Sequence, residues 1–344
     1  MHTSQLEFSR MENQTKMSAF AKFAWVVLAY NMVVILWGVF LRASKSGDGC
    51  GQHWLTCNGE VVPSAPELKT IIEFSHRITS SLDGLIVIVL LIWAVRIWYV
   101  HRSKATSFIL KMAAASFVFV SIEGALGAGL VLTGNTAETL TPARPFWMAA
   151  HLINTLILLS LLTITAWSAT SGRRVHFGFH SKHLRWIALG TLLIFLVGIS
   201  GSVAALSSMI FPSGTITEGI TRDFSPTSHI LLRIRPFHPI IAVAAALFLI
   251  FWAGLVKSNA PDSKGVVRGA NILSMLVVVQ IAFGALTLLT LAPILLQLGH
   301  LLLADAVWIS FVLLSLDLLG EKSLTDQDAA RHFAPSATIA SSET

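Results

Sequence analysis

The sequence predicts an all-α integral membrane protein of eight transmembrane helices, built as two parallel four-helix repeats related by a pseudo-two-fold axis along the membrane normal. Three observations predict it. Of the 344 residues, 54% are hydrophobic and only 12% are charged, about half the roughly 25% charge of a soluble domain. Eight apolar segments each reach the roughly 20 residues needed to cross a bilayer core about 30 Å thick. Residue patterns also recur between the third and seventh segments, and between the fourth and eighth. This composition excludes an ordinary soluble enzyme, a nucleic-acid binder and a disordered chain. Two cysteines exclude a disulfide scaffold or an iron–sulfur protein and leave room for one bridge.

The segments fall at 19–41, 70–99, 107–132, 146–170, 184–208, 229–256, 266–289 and 293–319. A helix satisfies its own backbone groups, so each segment is read as one. The first follows a polar stretch and is long enough to span, which makes it an uncleaved anchor rather than a signal peptide. The chain therefore divides into a cytoplasmic segment 1–18, a first repeat 19–170, a second repeat 171–320 and a polar, disordered cytoplasmic tail 321–344.

Basic residues set the orientation. Sixteen of the 24 Lys and Arg fall on the side of the termini, with clusters such as Arg96, Arg102, Lys104, Lys111 and Arg173, Arg174, Lys182, Arg185. Arg42, Lys45, Lys69, Arg77, Arg144, Arg222, Arg233 and Arg235 take the other side. The positive-inside rule puts both termini in the cytoplasm and the long connections 42–69 and 209–228 outside. The net charge of +6 thus reports topology, not a nucleic-acid partner. Cys50 and Cys57 face an oxidising compartment.

The repeat rests on Glu123-Gly-Ala-Leu-Gly127 in the third segment against Gln280-Ile-Ala-Phe-Gly284 in the seventh, and on His151 against His300 in the fourth and eighth. Gly198 and Gly201 of the fifth echo Gly38 of the first. Four helices return the chain to its starting side, which makes the repeats parallel.

Four of the 12 histidines lie inside spans, one on each even-numbered segment: His76, His151, His238 and His300. A single histidine in a helix is more often a hydrogen-bonded packing residue. Four at matching depth, two per repeat, point to function, because polar groups in a membrane are costly. Haem iron takes axial imidazoles from two helices, whereas zinc or copper needs three or four close ligands. Ala242 and Ala245 after His238, and Ala304 after His300, are small enough for a flat ring to approach. Two haem-sized sites follow, one per repeat.

Glu73, His76, Ser80 and Asp83 share one helix face in the first repeat. A carboxylate one turn from a ligand can relay protons; the plain alternative is an ion pair with Arg77 at i+4. Before His238 stand Arg233, Arg235 and Pro236, with no acid. This asymmetry suggests one reactive site and one electron-transfer site. Arg77, Arg233 and Arg235 lie where haem propionates would emerge, or simply snorkel. Glu123, inside the third helix, serves the first site from behind its ligand or joins helices; Asp305 is another acid within a span.

In the loop Cys50-Gly-Gln-His53-Trp54-Leu-Thr-Cys57, six residues separate the cysteines, which is neither C-x-x-C nor C-x-x-C-H. A disulfide is the first reading, as a brace or as a partner in thiol exchange. An external metal with His53 as third ligand, or two free thiols, are the others.

Eight helices in two repeats, Glu73-Phe-Ser-His76-Arg77, a histidine on each even helix and the Gly-rich Cys…Trp…Cys loop together resemble the haem A synthase family over residues 20–320. The resemblance implies a monooxygenase of the bacterial cytoplasmic membrane that oxidises the C8 methyl of haem O to the formyl group of haem A by successive hydroxylations. It implies haem b on His238 and His300, haem O on His76 and His151, Glu73 as the essential acid, and a Cys50–Cys57 disulfide. A haem O synthase (a farnesyltransferase) would donate the substrate. The electron donor, of quinol or ferredoxin type, stays unassigned; lipid is the environment, and a homo-oligomer is compatible. The loop lacks the prolines the family often carries, Glu123 stands where glutamine is expected, and Asp83 is unusual. Two other readings compete: a bis-haem electron carrier like cytochrome b561, which needs no acid beside a histidine, and a repeat-built transporter.

Overall fold

The computed structural model describes residues 18–175 and 182–321. The sequence-assigned N-terminal segment, up to residue 17, and the tail from 322 lie outside the described residues. The elements are α1 (Ala19–Ala43), α2 (Leu68–His101), α3 (Lys104–Leu132), α4 (Arg144–Ser171), β1 (Arg174–Val175), α5 (Lys182–Ile210), α6 (Ile216–Phe224), α7 (Ile230–Ile234), α8 (Phe237–Asn259), α9 (Lys264–Leu289), α10 (Ile294–Leu319) and β2 (Gly320–Glu321). Eight stretches among them are long and apolar enough to cross a membrane, the sixth being α7 and α8 taken together. The chain is a helical membrane protein.

Local chemistry sets the helix ends. Ser18 caps α1 by accepting from the Ala21 N–H. Ser103 and Thr106 form a capping box at α3. Pro145 opens α4 and Gly172, in the left-handed region, closes it. The sixth span, read as one helix over 229–256, is divided at Arg235–Pro236, because proline has no N–H to continue the ladder. The connection before it contains α6, a helix the sequence reading leaves as plain loop. Glu321, assigned to the tail, pairs with Arg174 in a two-stranded antiparallel ribbon.

The helices pack in two groups. In one, α1 packs on α2, α2 on α3, α3 on α4 and α4 back on α1; in the other, α5 packs on α8, α8 on α9, α9 on α10 and α10 on α5. The groups meet where α4 touches α5 and α10, and where α10 touches α1. α4 and α10 are consequently the most buried spans. Their seam is filled by Leu156, Leu159, Trp308 and Phe311, and Trp308 Nε1 donates to the Leu156 carbonyl at 2.8 Å. On the outer surface, Val33, Ile92, Leu247 and Met275 stand exposed, as lipid-facing positions require.

α2 has 34 residues, about 51 Å at 1.5 Å per residue. That is well beyond a 30 Å bilayer core. Its first turns meet the 44–67 connection, where Glu73 and Arg77 bond to the backbone of Cys50, His53, Trp54 and Thr56.

Candidate functional site

The four histidines sit near the N-terminal ends of α2, α4, α8 and α10. These are alternate spans running the same way, so all four reach one end of the bundle. His76 and His151 lie within electrostatic reach of one another, as do His238 and His300. Each pair thus belongs to one helix group.

Three of the rings rest on a glycine of the preceding span. A Cβ on Gly38 would fall 3.0 Å from His76 Cε1, on Gly201 2.9 Å from His238 Cε1, and on Gly284 2.8 Å from His300 Cε1. No other residue leaves that space. The sequence points to small residues on the histidine helices themselves, at Ala242, Ala245 and Ala304. The structure brings glycines from neighbouring helices to the rings, a relation that needs interhelical distances. Gly127, the sequence match to Gly284, has nothing within 4 Å of its Cβ position; His151 meets Glu123 instead.

The ring nitrogens would be able to hold a metal. His238 Nδ1 lies 3.2 Å from Ser200 Oγ. His151 Nδ1 lies 3.2 Å from a Glu123 oxygen, off the hydrogen-bond direction. His76 Nδ1 and His300 Nδ1 are buried without partners. No hydrogen bond among the described residues engages Nε2 of any of the four, so that nitrogen is left for a ligand, as in a neutral imidazole bound to a metal. Among the described residues no cluster of three or more His, Cys, Asp or Glu is arranged for a bare metal ion. Paired histidines whose Nε2 atoms carry no hydrogen bond fit a metal macrocycle held between two helices.

Glu73 is 3% exposed. One oxygen accepts from Arg77 Nη2 at 2.5 Å and the other from the Cys50 N–H at 2.9 Å. The ion pair that the i+4 spacing allowed is therefore present, and the acid also carries the cysteine loop. Arg77 Nη1 donates to the carbonyls of His53, Trp54 and Thr56. Cys50 and Cys57 form a disulfide, 0% and 1% exposed. It uses both thiols, so neither the free-thiol reading nor the metal reading with His53 is met. Gly49 packs against the start of α2, where a Cβ would lie 2.4 Å from the Lys69 backbone. Thr70 Oγ1 and Asn58 Nδ2 both donate to the Gly49 carbonyl.

Most of the remaining acids and arginines have definite partners. Glu123 accepts from Asn154 Nδ2 and Thr155 Oγ1, besides facing His151. Asp83 accepts from Asn31 Nδ2 at 2.7 Å in the interior, two turns beyond His76 and away from Glu73. Arg235 pairs with Asp223 of α6 at 2.7 Å, and Arg233 is exposed. Asp305 is buried and its Oδ2 has no partner. Of the three arginines the sequence placed at a ligand edge, Arg77 and Arg235 are thus engaged by protein groups.

Fold and site together define a class: a helical membrane protein with two histidine pairs at one end of its spans, one pair bordered by a buried carboxylate under a disulfide loop. The chain belongs to the COX15-CtaA family of cytochrome oxidase assembly proteins, whose sequence pattern matches residues 21–312. It is 39% identical over 302 residues to a protein of Thermus thermophilus called protoheme IX farnesyltransferase, covering 88% of this chain and 49% of that one. It is 27% identical over 314 residues to a heme A synthase of Bacillus cereus, covering 89% and 95%. It is 38% identical over 132 residues to a heme A synthase of Alkalihalophilus pseudofirmus, covering 38% and 42%. The chain spans about half the length of the Thermus relative it matches.

Proposed function

We propose that this protein is a haem A synthase, oxidising the C8 methyl of haem O to the formyl group of haem A. His76 and His151 hold the substrate haem O, and His238 and His300 hold a haem b that passes electrons. The bound haems supply the redox chemistry and oxygen activation. The observation that carries this reading is the asymmetry between two otherwise alike histidine pairs. Glu73 stands one turn from His76 on the same helix face, and residues 224–237, leading up to His238, contain no acid.

The chain's own residues have defined tasks. Glu73, held between Arg77 and the Cys50 N–H, is placed to hold or move a proton at the first pair. Arg77 fixes the loop over the site through three carbonyls. Glu123 orients His151, as carboxylates behind metal-bound imidazoles do. The glycines beside His76, His238 and His300 set ring position. The buried disulfide acts as a brace.

The helix packing supports a division at about residue 170 into a substrate half (19–170) and a haem b half (171–320). Exchanging α1–α4 for the four spans of the second group maps the pattern of neighbouring helices onto itself, as parallel repeats require. The charge bias supports cytoplasmic termini and an outer cysteine loop. A farnesyltransferase that makes haem O is the proposed substrate donor. The Thermus relative bearing a farnesyltransferase name, about twice as long as its match to this chain, supports that pairing.

The test is co-expression with a haem O synthase, followed by chromatography of extracted haems. Haem A should appear with the wild type. Glu73→Ala should retain haem b and make no haem A; His238→Ala or His300→Ala should lose haem b. Haem O unconverted by the wild type would favour the electron carrier, and a protein with no Soret band would remove both haem readings.

A further inference from the structure

At the outer end of the seam between the two helix groups stand three polar side chains to which neither the sequence nor the proposed chemistry gives a ligand. Arg42, in the last turn of α1, donates to Gln297 Oε1 of α10 at 3.5 Å, the long limit of a hydrogen bond. Arg144, at the start of α4, is 3% exposed. Its two terminal nitrogens donate to the carbonyls of Ala137 and Thr139, and its Nε is buried with no partner. The two guanidinium groups lie close enough to repel one another. Neither has a carboxylate partner among the described residues, whereas Arg77, Arg173, Arg222 and Arg235 each have one.

Two like charges set together in a low-dielectric seam are costly unless an anion joins them. A guanidinium fork matches a carboxylate with two parallel hydrogen bonds. Their register gives the ligand's place. Arg42 is four residues after Gly38, the glycine under the His76 ring, and so shares its helix face one turn outward. Arg144 is seven residues before His151, two turns outward on α4. Gln297 is three residues before His300. The cluster therefore stands just outside the first histidine pair.

We propose that Arg42, Arg144 and Gln297 form an anion seat that takes the carboxylate edge of the porphyrin ligand held by His76 and His151. Arg42 makes the principal contact, Arg144 supplies field and its free Nε, and Gln297 steadies Arg42 from the opposite half. This rests on the haem reading above. A lipid phosphate shares the chemistry, and the experiment separates the two sources.

The test takes full-length protein whose second pair is already filled with haem b, in phosphatidylcholine nanodiscs, and titrates it with protohaem and with protohaem dimethyl ester, whose carboxylates are blocked, following the further change in the Soret band. The wild type should bind the free acid at least tenfold tighter than the diester. Arg42→Gln should bind both equally, at the affinity the wild type shows for the diester, and Arg42→Lys should keep part of the preference. Unchanged diester binding shows that a variant is folded. An undiminished acid preference in Arg42→Gln overturns the seat. So does loss of phosphatidylglycerol binding in native mass spectra of Arg42→Gln while the acid preference persists, which assigns the cluster to lipid. A Soret change that survives in His76→Ala instead removes the first-pair haem reading, a failure distinguishable from the other two.

Discussion

Gly284→Ala tests how the histidines are positioned. The added Cβ would lie 2.8 Å from His300 Cε1 and 3.4 Å from Nδ1. Carbon atoms pack best at about 3.5–4.0 Å, so the ring must retreat by ~0.7 Å or more. That is about a third of a metal–imidazole bond of roughly 2 Å, enough to spoil axial ligation. For the fold alone, overpacking costs about 1–3 kcal/mol, while replacing a mid-helix glycine by alanine returns about 1 kcal/mol. The two nearly offset, so the variant should fold and insert, with the loss concentrated in haem. Gly84 and Gly254 are helical glycines with nothing within 4 Å of a Cβ. Alanine there gives the propensity gain without the contact. The assay is haem b per protein in purified samples, with the Soret spectrum and thermal unfolding. Gly284→Ala should lose at least half its haem b, and both controls should keep theirs. Full haem b with an unchanged spectrum in Gly284→Ala would refute the reasoning.

Glu123→Gln removes the carboxylate behind His151 while keeping its shape. An imidazole without that partner is a weaker donor to the metal, so the midpoint potential of haem on the first pair should rise by about 59 mV for each tenfold change in the one-electron equilibrium. Redox titration would show this, and the haem on the second pair should not move. The Cys50–Cys57 disulfide, being buried, should resist a water-soluble reductant in the folded protein and react once the protein unfolds. Alkylation with mass analysis tests this, and rapid native reduction would argue for thiol exchange. Glu138, in the connection between α3 and α4, is held below the usual carboxylate range by its hydrogen bond to Lys45. Its contribution is therefore present above the unfolded carboxyl range and is lost as pH falls through the depressed folded value. The pair is exposed and screened by salt, so Glu138→Gln should melt with the wild type at pH 7 and at pH 3.

The spans and the histidines were legible in the sequence because both signals are one-dimensional. Hydropathy over a window needs no partner, and one histidine on each even span repeats by counting. The Glu73–Arg77 spacing was equally legible, since i and i+4 meet on any helix. That the same arginine also grips three loop carbonyls was not. Nor was the Cys50 N–H on Glu73, because residues 50 and 73 come together only through the path of the connection. α6 gives no such signal, because its nine residues, Ile216–Phe224, are too few and too polar for a span.

What the sequence determined by itself was therefore the class of fold, the count of spans and the residue types able to hold a ligand. The tertiary structure alone decided the contacts between spans. It set which glycines lie under the histidine rings and which arginines are already engaged. The physical reason is that a helix fixes its own faces through local hydrogen bonds, but not the neighbour each face meets. Arg42 shows the difference. In the sequence it was one of eight basic residues on the outer side, and in the fold it stands beside Arg144 and Gln297 with no carboxylate to answer it.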